Sequence, residues 1–220
     1  LTESRQKKVS DMLNSWMSRR PKLGEEAALA EPVDLARLLG NLVFASQCVP
    51  GGRTYMQGML SQFKGLVVDW RHGLVKALGS ERWSEVTLTD GFWRDIEWWR
   101  DHLDGRNCVV VSEVARKADA AVVITGTDSS DWGSGQLIWL DGEREESRLR
   151  FGPVEKRRPI NWRELLGILR VVEMAGPRAR GCIVLVETDN MTSRDVTVAM
   201  ASRAEDMQEL LRRLLDVVER

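Results

Sequence analysis

The segment Ala121-Val122-Val123-Ile124-Thr125-Gly126-Thr127-Asp128 sets the architecture of the C-terminal half. A β-branched apolar run ends on a carboxylate, as a strand does when it delivers a polar group to a sheet edge. The same pattern returns at Cys182-Ile183-Val184-Leu185-Val186-Glu187-Thr188-Asp189. Between the two runs, Asn161-Trp162-Arg163-Glu164-Leu165-Leu166 reads as the opening of a helix, with Glu164 in its first turn. Two strand ends and one helix start therefore offer Asp128, Glu164 and Asp189 to a common place.

Val122 to Thr127 is the first strand, and Asp128-Ser129-Ser130-Asp131-Trp132-Gly133-Ser134-Gly135 is a turn rich in Gly, Ser and Asp. Gln136-Leu137-Ile138-Trp139-Leu140 and Arg148-Leu149-Arg150-Phe151 add two strands around Asp141-Gly142, making an antiparallel meander. A helix from Asn161 to about Ala175 carries Leu165, Leu166, Leu169 and Val172 and stops at Gly176-Pro177. The run 182–186 is apolar without alternation, as expected of a strand buried on both faces. It is therefore placed in the middle of the sheet, parallel to the first strand. A last amphipathic helix holds Met207, Leu210, Leu211, Leu214, Leu215 and Val218.

That order puts Asp128 and Asp189 at the same edge of neighbouring parallel strands, where open α/β sheets bind ligands. Three carboxylates within reach of one another repel, and hard divalent cations such as Mg²⁺ or Mn²⁺ relieve the repulsion through oxygen ligation. Two such ions support in-line phosphodiester cleavage. In a chain with 33 acidic residues the bare spacing is weak by itself. Asp195 and Asp206, the nearby acids, read as solvated helix positions.

The N-terminal half reads as helical. Val9, Met12, Leu13, Trp16 and Met17 predict a helix over 3–19, and Pro32 opens a second with Leu35, Leu38, Leu39, Leu42 and Val43. Tyr55, Met56, Met59, Leu60, Phe63, Val67 and Trp70 form a stripe that predicts a third helix, although Gly65 and Gly73 weaken its end. After a short extended piece at Val86-Thr87-Leu88, Thr89 or Asp90 caps a fourth helix bearing Phe92, Trp93, Ile96, Trp99 and Leu103. Such stripes are core positions first, and only Trp98 stands partly off its stripe. The clusters Arg5-Lys7-Lys8 and Arg19-Arg20-Lys22 suit phosphates or, more simply, solvent.

Composition bounds the rest. The chain has 220 residues, 43% hydrophobic and 30% charged, enough for one large core or two modest ones. A net charge of −1 gives no global attraction to nucleic acid, so any such contact has to be local or metal-assisted. Cys48, Cys108 and Cys182 are single and widely spaced, and with only His72 and His102 beside them neither a disulfide framework nor a zinc site is expected. No apolar run approaches a bilayer's span, so an intracellular compartment, cytoplasmic or nuclear, and no membrane partner are expected. The absence of an initiator Met suggests a segment of a longer polyprotein.

Thr127-Asp128-Ser129-Ser130 with Trp132-Gly133-Ser134-Gly135, then Asn161-Trp162-Arg163-Glu164-Leu165-Leu166, then Glu187-Thr188-Asp189-Asn190 resembles the first three acidic motifs of retroelement ribonuclease H domains. Leu35 to Ser46 with Val49-Pro50-Gly51-Gly52-Arg53 looks like the thumb and connection helices that follow a reverse-transcriptase palm. The Trp-Trp-containing helix at 93–103 is typical of DIRS-like elements and their relatives, so the resemblance covers nearly the whole chain and points to a DIRS-like or gypsy-like retrotransposon.

The resemblance implies an α/β fold: a ribonuclease H-like mixed sheet, antiparallel meander plus parallel strand, flanked by helices and preceded by an all-α thumb/connection unit. The domains would be 1–104, a linker over 105–118, and a nuclease domain over 119–220. It further implies Asp128, Glu164 and Asp189 as catalytic residues and metal ligands, Mg²⁺ (or Mn²⁺) as cofactor, and cleavage of the RNA strand of RNA–DNA hybrids. Ser129, Ser130, Asn161, Arg163, Asn190 and Ser193 would contact nucleic acid, with turn and capping chemistry as their equal alternative. Partners would be an RNA–DNA hybrid or primer–template duplex, with palm and fingers on the N-terminal side. Two departures stand. No Tyr-x-Asp-Asp motif is present, and the chain stops before the family's fourth acidic ligand, leaving the nuclease domain C-terminally incomplete. The competing expectation is a non-catalytic nucleic-acid or protein interaction module derived from such an element.

Overall fold

The computed structural model describes residues 1–104, 121–140 and 142–219, so the predicted linker at 105–118, its Val109-Val110-Val111 and Asp141 lie outside the described residues. The chain divides into two compact units, Leu1–Val109 and Val110–Arg220.

In the first unit, helices α1 (Glu3–Met17), α2 (Pro32–Ala45) and α4 (Asp90–His102) bury most of the stripes expected of them, with Val43 of α2 exposed instead. Trp16 meets the edge of Phe92 at 5.3 Å, and the Trp99 indole N–H donates to the Tyr55 carbonyl at 2.9 Å. Trp98 is core as well, stacked on Tyr55 at 4.3 Å and on His102 at 4.5 Å. Thr89 precedes α4 without capping it through its side chain. Its hydroxyl instead accepts from the buried Gln62 amide at 2.9 Å.

The all-α expectation fails here. The stripe from Tyr55 to Trp70 yields only a short helix α3 (Gln57–Leu60) flanked by 3-10 turns, followed by an antiparallel hairpin of β2 (Leu66–Asp69) and β3 (Leu74–Ala77). Gly65 and Gly73 adopt φ of +74° and +68°, a left-handed backbone that interrupts any helix. Asp69 closes the turn by accepting from the Arg71 and His72 N–H groups at 3.0 and 3.1 Å. A second pair, β1 (Leu29–Ala30) with β4 (Val86–Thr87), is also antiparallel.

The second unit is mixed α/β. Strands β5 (Val122–Ser129), β6 (Gly133–Leu140) and β7 (Glu143–Arg150) form the antiparallel meander. After α5 (Pro153–Lys156) and α6 (Ile160–Ala175), β8 (Ile183–Glu187) runs parallel to β5, and α7 (Met191–Ala199) and α8 (Glu205–Val218) follow. The sheet order β7-β6-β5-β8 is compatible with a ribonuclease H-like fold. It also corrects the placement of β8, which is an edge strand among the described residues. Leu185 is 51% exposed there, so an unbroken apolar run signalled parallel pairing but not two-sided burial.

Burial alternates along β5, with Val123, Thr125, Thr127 and Ser129 turned to the helix side. At one end Val123 and Ile138 pack with Val171 and Ala175 of α6, while Phe151, Leu165, Leu169, Leu211 and Leu214 form the main core between α6 and α8. Toward Asp128 that layer turns polar, with Thr127, Ser129, Ser134 and Gln136 buried beneath the sheet. No helix among the described residues is long and apolar enough to cross a membrane.

Candidate metal centre

Asp128 lies within β5, one residue before its end, and points to the open face of the sheet, opposite the side that buries Thr127 and Ser129. Its cross-strand partner is Gly135, where an added Cβ would meet nothing, so the floor beside it is open. Asp189 follows β8 at the same edge. Glu164 is the fifth residue of α6, because that helix opens at Ile160 rather than Asn161; it therefore sits in the second turn, not the first.

One carboxylate oxygen from each of Asp128, Glu164 and Asp189 lies within 4.8 Å of the other two. Asp128 and Asp189 are exposed and Glu164 is buried. Neither Asp195, which pairs with Arg194, nor Asp206, which pairs with Arg158 at 2.9 Å, joins them.

Glu164 Oε1 accepts the Ser129 N–H at 3.1 Å, while its Oε2 is buried without a hydrogen-bond partner. Burial pushes the Glu164 carboxyl up to about 7, and the charges of Asp128 and Asp189 add to the rise against the opposing Ser129 hydrogen bond. An orphaned carboxylate oxygen beside two exposed carboxylates fits a hard divalent cation, whose charge would replace the missing partner.

The helix reaches this position through Gly167. A Cβ there would overlap Thr127 Oγ1 and stand 3.2 Å from Ser129 Oγ, so α6 packs directly onto the polar end of β5. Ser129 Oγ adds a bond to the Arg163 carbonyl at 3.1 Å. On the other side, Asn190 caps α7 by accepting from the Ser193 N–H at 2.8 Å and donates to Asn161 Oδ1 at 3.0 Å. Ser193 Oγ donates to the Asn161 carbonyl at 3.1 Å. These bonds tie the start of α6 to the segment carrying Asp189.

All six residues expected to touch nucleic acid hydrogen-bond within the chain. Ser129, Arg163 and Ser193 are buried, Asn161 and Asn190 bond each other, and exposed Ser130 accepts from the Trp132 and Gly133 N–H groups of its own turn. Arg163 binds that turn from beneath, donating to the Ser130 carbonyl at 3.1 Å and to Asp131 Oδ1 at 2.8 Å. These are turn and capping bonds, made within the chain alone.

No protein-family model and no curated protein matches the chain. Among solved structures, the foamy viral protease-reverse transcriptase dRH in complex with double-stranded DNA is similar over all of this chain and 33% of that one, at 12% identity and a TM-score of 0.33. The foamy viral protease-reverse transcriptase in complex with an RNA/DNA hybrid is similar over 98% of this chain and 26% of that one, at 14% identity and a TM-score of 0.34. The chain spans about a third or less of the length of these proteins. Likeness at these scores carries no assignment; the carboxylate geometry is independent of it.

Sequence reading missed Gly167, whose signal was a glycine in mid-helix three residues after Glu164, a position that costs about 1 kcal/mol against Ala unless close packing needs it. It also missed the groove along the open sheet face. Asp128, Gly135 and Arg148 line two adjoining cavities of about 630 and 450 Å³, the first reaching Glu187 and Asp189 and the second reaching Trp132.

Proposed function

We propose that this chain is the ribonuclease H-like part, with adjoining thumb and connection, of a retroelement reverse transcriptase, and that it cleaves the RNA strand of RNA–DNA hybrids at Asp128, Glu164 and Asp189. The single observation that carries the reading is the convergence of these carboxylates, from a strand interior, a helix and a post-strand loop, to within 4.8 Å. The motif wording around each agrees with it.

Asp128 and Asp189, exposed at the groove, would hold divalent cations from the solvent side, and Glu164 would hold them from below with the oxygen that lacks a partner. When bound, a pair of Mg²⁺ or Mn²⁺ ions would supply an activated water and stabilise the leaving 3′-oxygen. The Ser129 N–H keeps the Glu164 carboxylate in one orientation, which lowers the reorganisation needed on binding. Gly135 leaves room beside Asp128 for a sugar-phosphate backbone. No general base is needed among the side chains.

The test is incubation of a hybrid labelled on each strand with this chain in Mg²⁺ or Mn²⁺, beside Asp128→Asn. Loss of the RNA strand alone, absent with Asp128→Asn, supports the reading. A hybrid left whole by the wild-type chain, or cut equally by the variant, overturns it.

A further inference from the structure

Beyond the carboxylates, the groove contains groups that neither the metal centre nor the packing uses. β7 carries Glu143, Arg144, Glu145, Glu146, Arg148 and Arg150. Arg144 pairs with Glu146, and Glu145 with Arg178 from outside the strand, so these charges are already compensated. Arg148 and Arg150 have no ion pair among the described residues, and both line the 450 Å³ cavity that also contains Asp128. Strand register places Arg148 opposite Gly135 and Gly135 opposite Asp128, a row across three strands roughly 10 Å long.

At the end of the same cavity stands Trp132, 71% exposed. A single exposed aromatic is ordinary. This one is mounted on a turn with its backbone fully fixed: the Trp132 N–H donates to Ser130 Oγ at 3.2 Å, its carbonyl accepts from Phe151 at 2.9 Å, and Arg163 holds the Ser130 carbonyl from below. Lys156 Nζ stands 4.7 Å from the indole ring centre, so a further cation sits at that end. An indole with two side-chain torsions on a fixed backbone loses little freedom on binding, and an aromatic face beside unpaired arginines is the chemistry that holds a nucleobase and its phosphates.

We propose that Trp132, Arg148 and Arg150 form a strand-holding subsite next to the metal centre, in which the indole stacks on a nucleobase and the arginines take phosphates of the strand being cut. The inference rests on the nuclease reading for its substrate, and it adds residues that act on binding rather than on the reacting phosphate. Arg163, first expected to contact nucleic acid, contributes here by fixing the turn that presents Trp132.

The experiment measures binding of a fluorescein-labelled RNA–DNA hybrid to the chain in Ca²⁺ across a salt series, with cleavage in Mg²⁺ followed in parallel. All three side chains are exposed, so their variants fold. Trp132→Ala weakens binding on the order of tenfold without changing the salt slope, and Trp132→Phe restores most of it. The double variant Arg148→Ala with Arg150→Ala flattens the slope of log affinity against log salt by about 1 to 2. If the wild type cuts the hybrid while these variants bind it unchanged, the subsite is wrong and the nuclease reading stands. Variants that lose binding to a wild type that does not cut would keep the subsite and remove the nuclease. A wild type that binds no hybrid removes both.

Discussion

Gly167 of α6 lies against Thr127 of β5 so closely that any side chain at 167 would overlap the Thr127 hydroxyl. The contact sets the height of α6 over the sheet, and with it the reach of Glu164 toward Asp128. Gly167→Ala therefore lifts the helix or displaces Thr127, costing about 1 to 3 kcal/mol as overpacking does. Thermal unfolding with and without Mg²⁺ reads both effects: the melting temperature falls, and the Mg²⁺-induced rise shrinks. An unchanged Mg²⁺ response would show that the helix height does not govern the site.

Glu164 makes stability depend on pH. Its carboxyl titrates near 7 in the folded metal-free chain against an ordinary 4.5, so the folded state binds the proton more tightly than the unfolded one. Below 4.5 both states are protonated and nothing is lost; between 4.5 and 7 the unfolded carboxyl ionises while the folded one keeps its proton, so the metal-free fold loses up to about 3 kcal/mol, and above 7 the buried charge is present in full. Glu164→Gln keeps the acceptor for Ser129 and removes the charge. Chemical denaturation at pH 5 and pH 8 is expected to show a pH-dependent loss in the wild type that the variant lacks, with the variant the more stable at pH 8.

A divalent cation reverses that penalty. Mg²⁺ at about 100 times its dissociation constant stabilises the wild type by about 2.7 kcal/mol by mass action, and more at pH 8 than at pH 6, where a proton competes at Glu164. Asp128→Asn and Asp189→Asn lose this response while their metal-free stability holds or rises, because each removes a repulsion. Denaturant midpoints measured with and without Mg²⁺ decide it; a response kept in both variants would place the cation elsewhere.

Arg163 is held by direction as well as charge, spanning the Ser130 carbonyl and Asp131 with its fork. Arg163→Lys, which keeps the charge but not the fork, is expected to cost about 1 to 3 kcal/mol, with hydrogen exchange quickening at the turn from Ser130 to Gly133. Exchange unchanged at that turn would show that it is held without the guanidinium.

How far the molecule was legible in its sequence differs by region. The order of the meander, the parallel pairing of β8, and helices α6 and α8 could be read from their apolar runs, but the bounds of β6 and β7 could not: Gly133 to Gly135 read as a turn, and Glu143 to Ser147, charged or polar throughout, gave no strand period. The hairpin at 66–77 could not, since Phe63, Val67 and Trp70 satisfy helical spacing and only the left-handed Gly65 and Gly73 betray the break. The apolar run at 183–187 fixed pairing with β5 but not which side of β8 stays open. Asp128, Glu164 and Asp189 were readable because each stands at or near the end of a regular element. For Ser129, Asn161, Asn190 and Ser193 the scaffold bonds were not legible, because a hydroxyl or amide beside a carboxylate serves substrate and scaffold equally well and the scaffold partners lie about 30 residues away.

If Asp128, Glu164 and Asp189 act as one divalent-cation site, titration with Mn²⁺ followed by electron paramagnetic resonance detects the bound ion. A saturable bound Mn²⁺ signal is expected in the wild type, displaced by Mg²⁺ and weakened by on the order of tenfold or more in each of Asp128→Asn, Glu164→Gln and Asp189→Asn. A wild type that binds no Mn²⁺, or three variants that bind it as the wild type does, would contradict it.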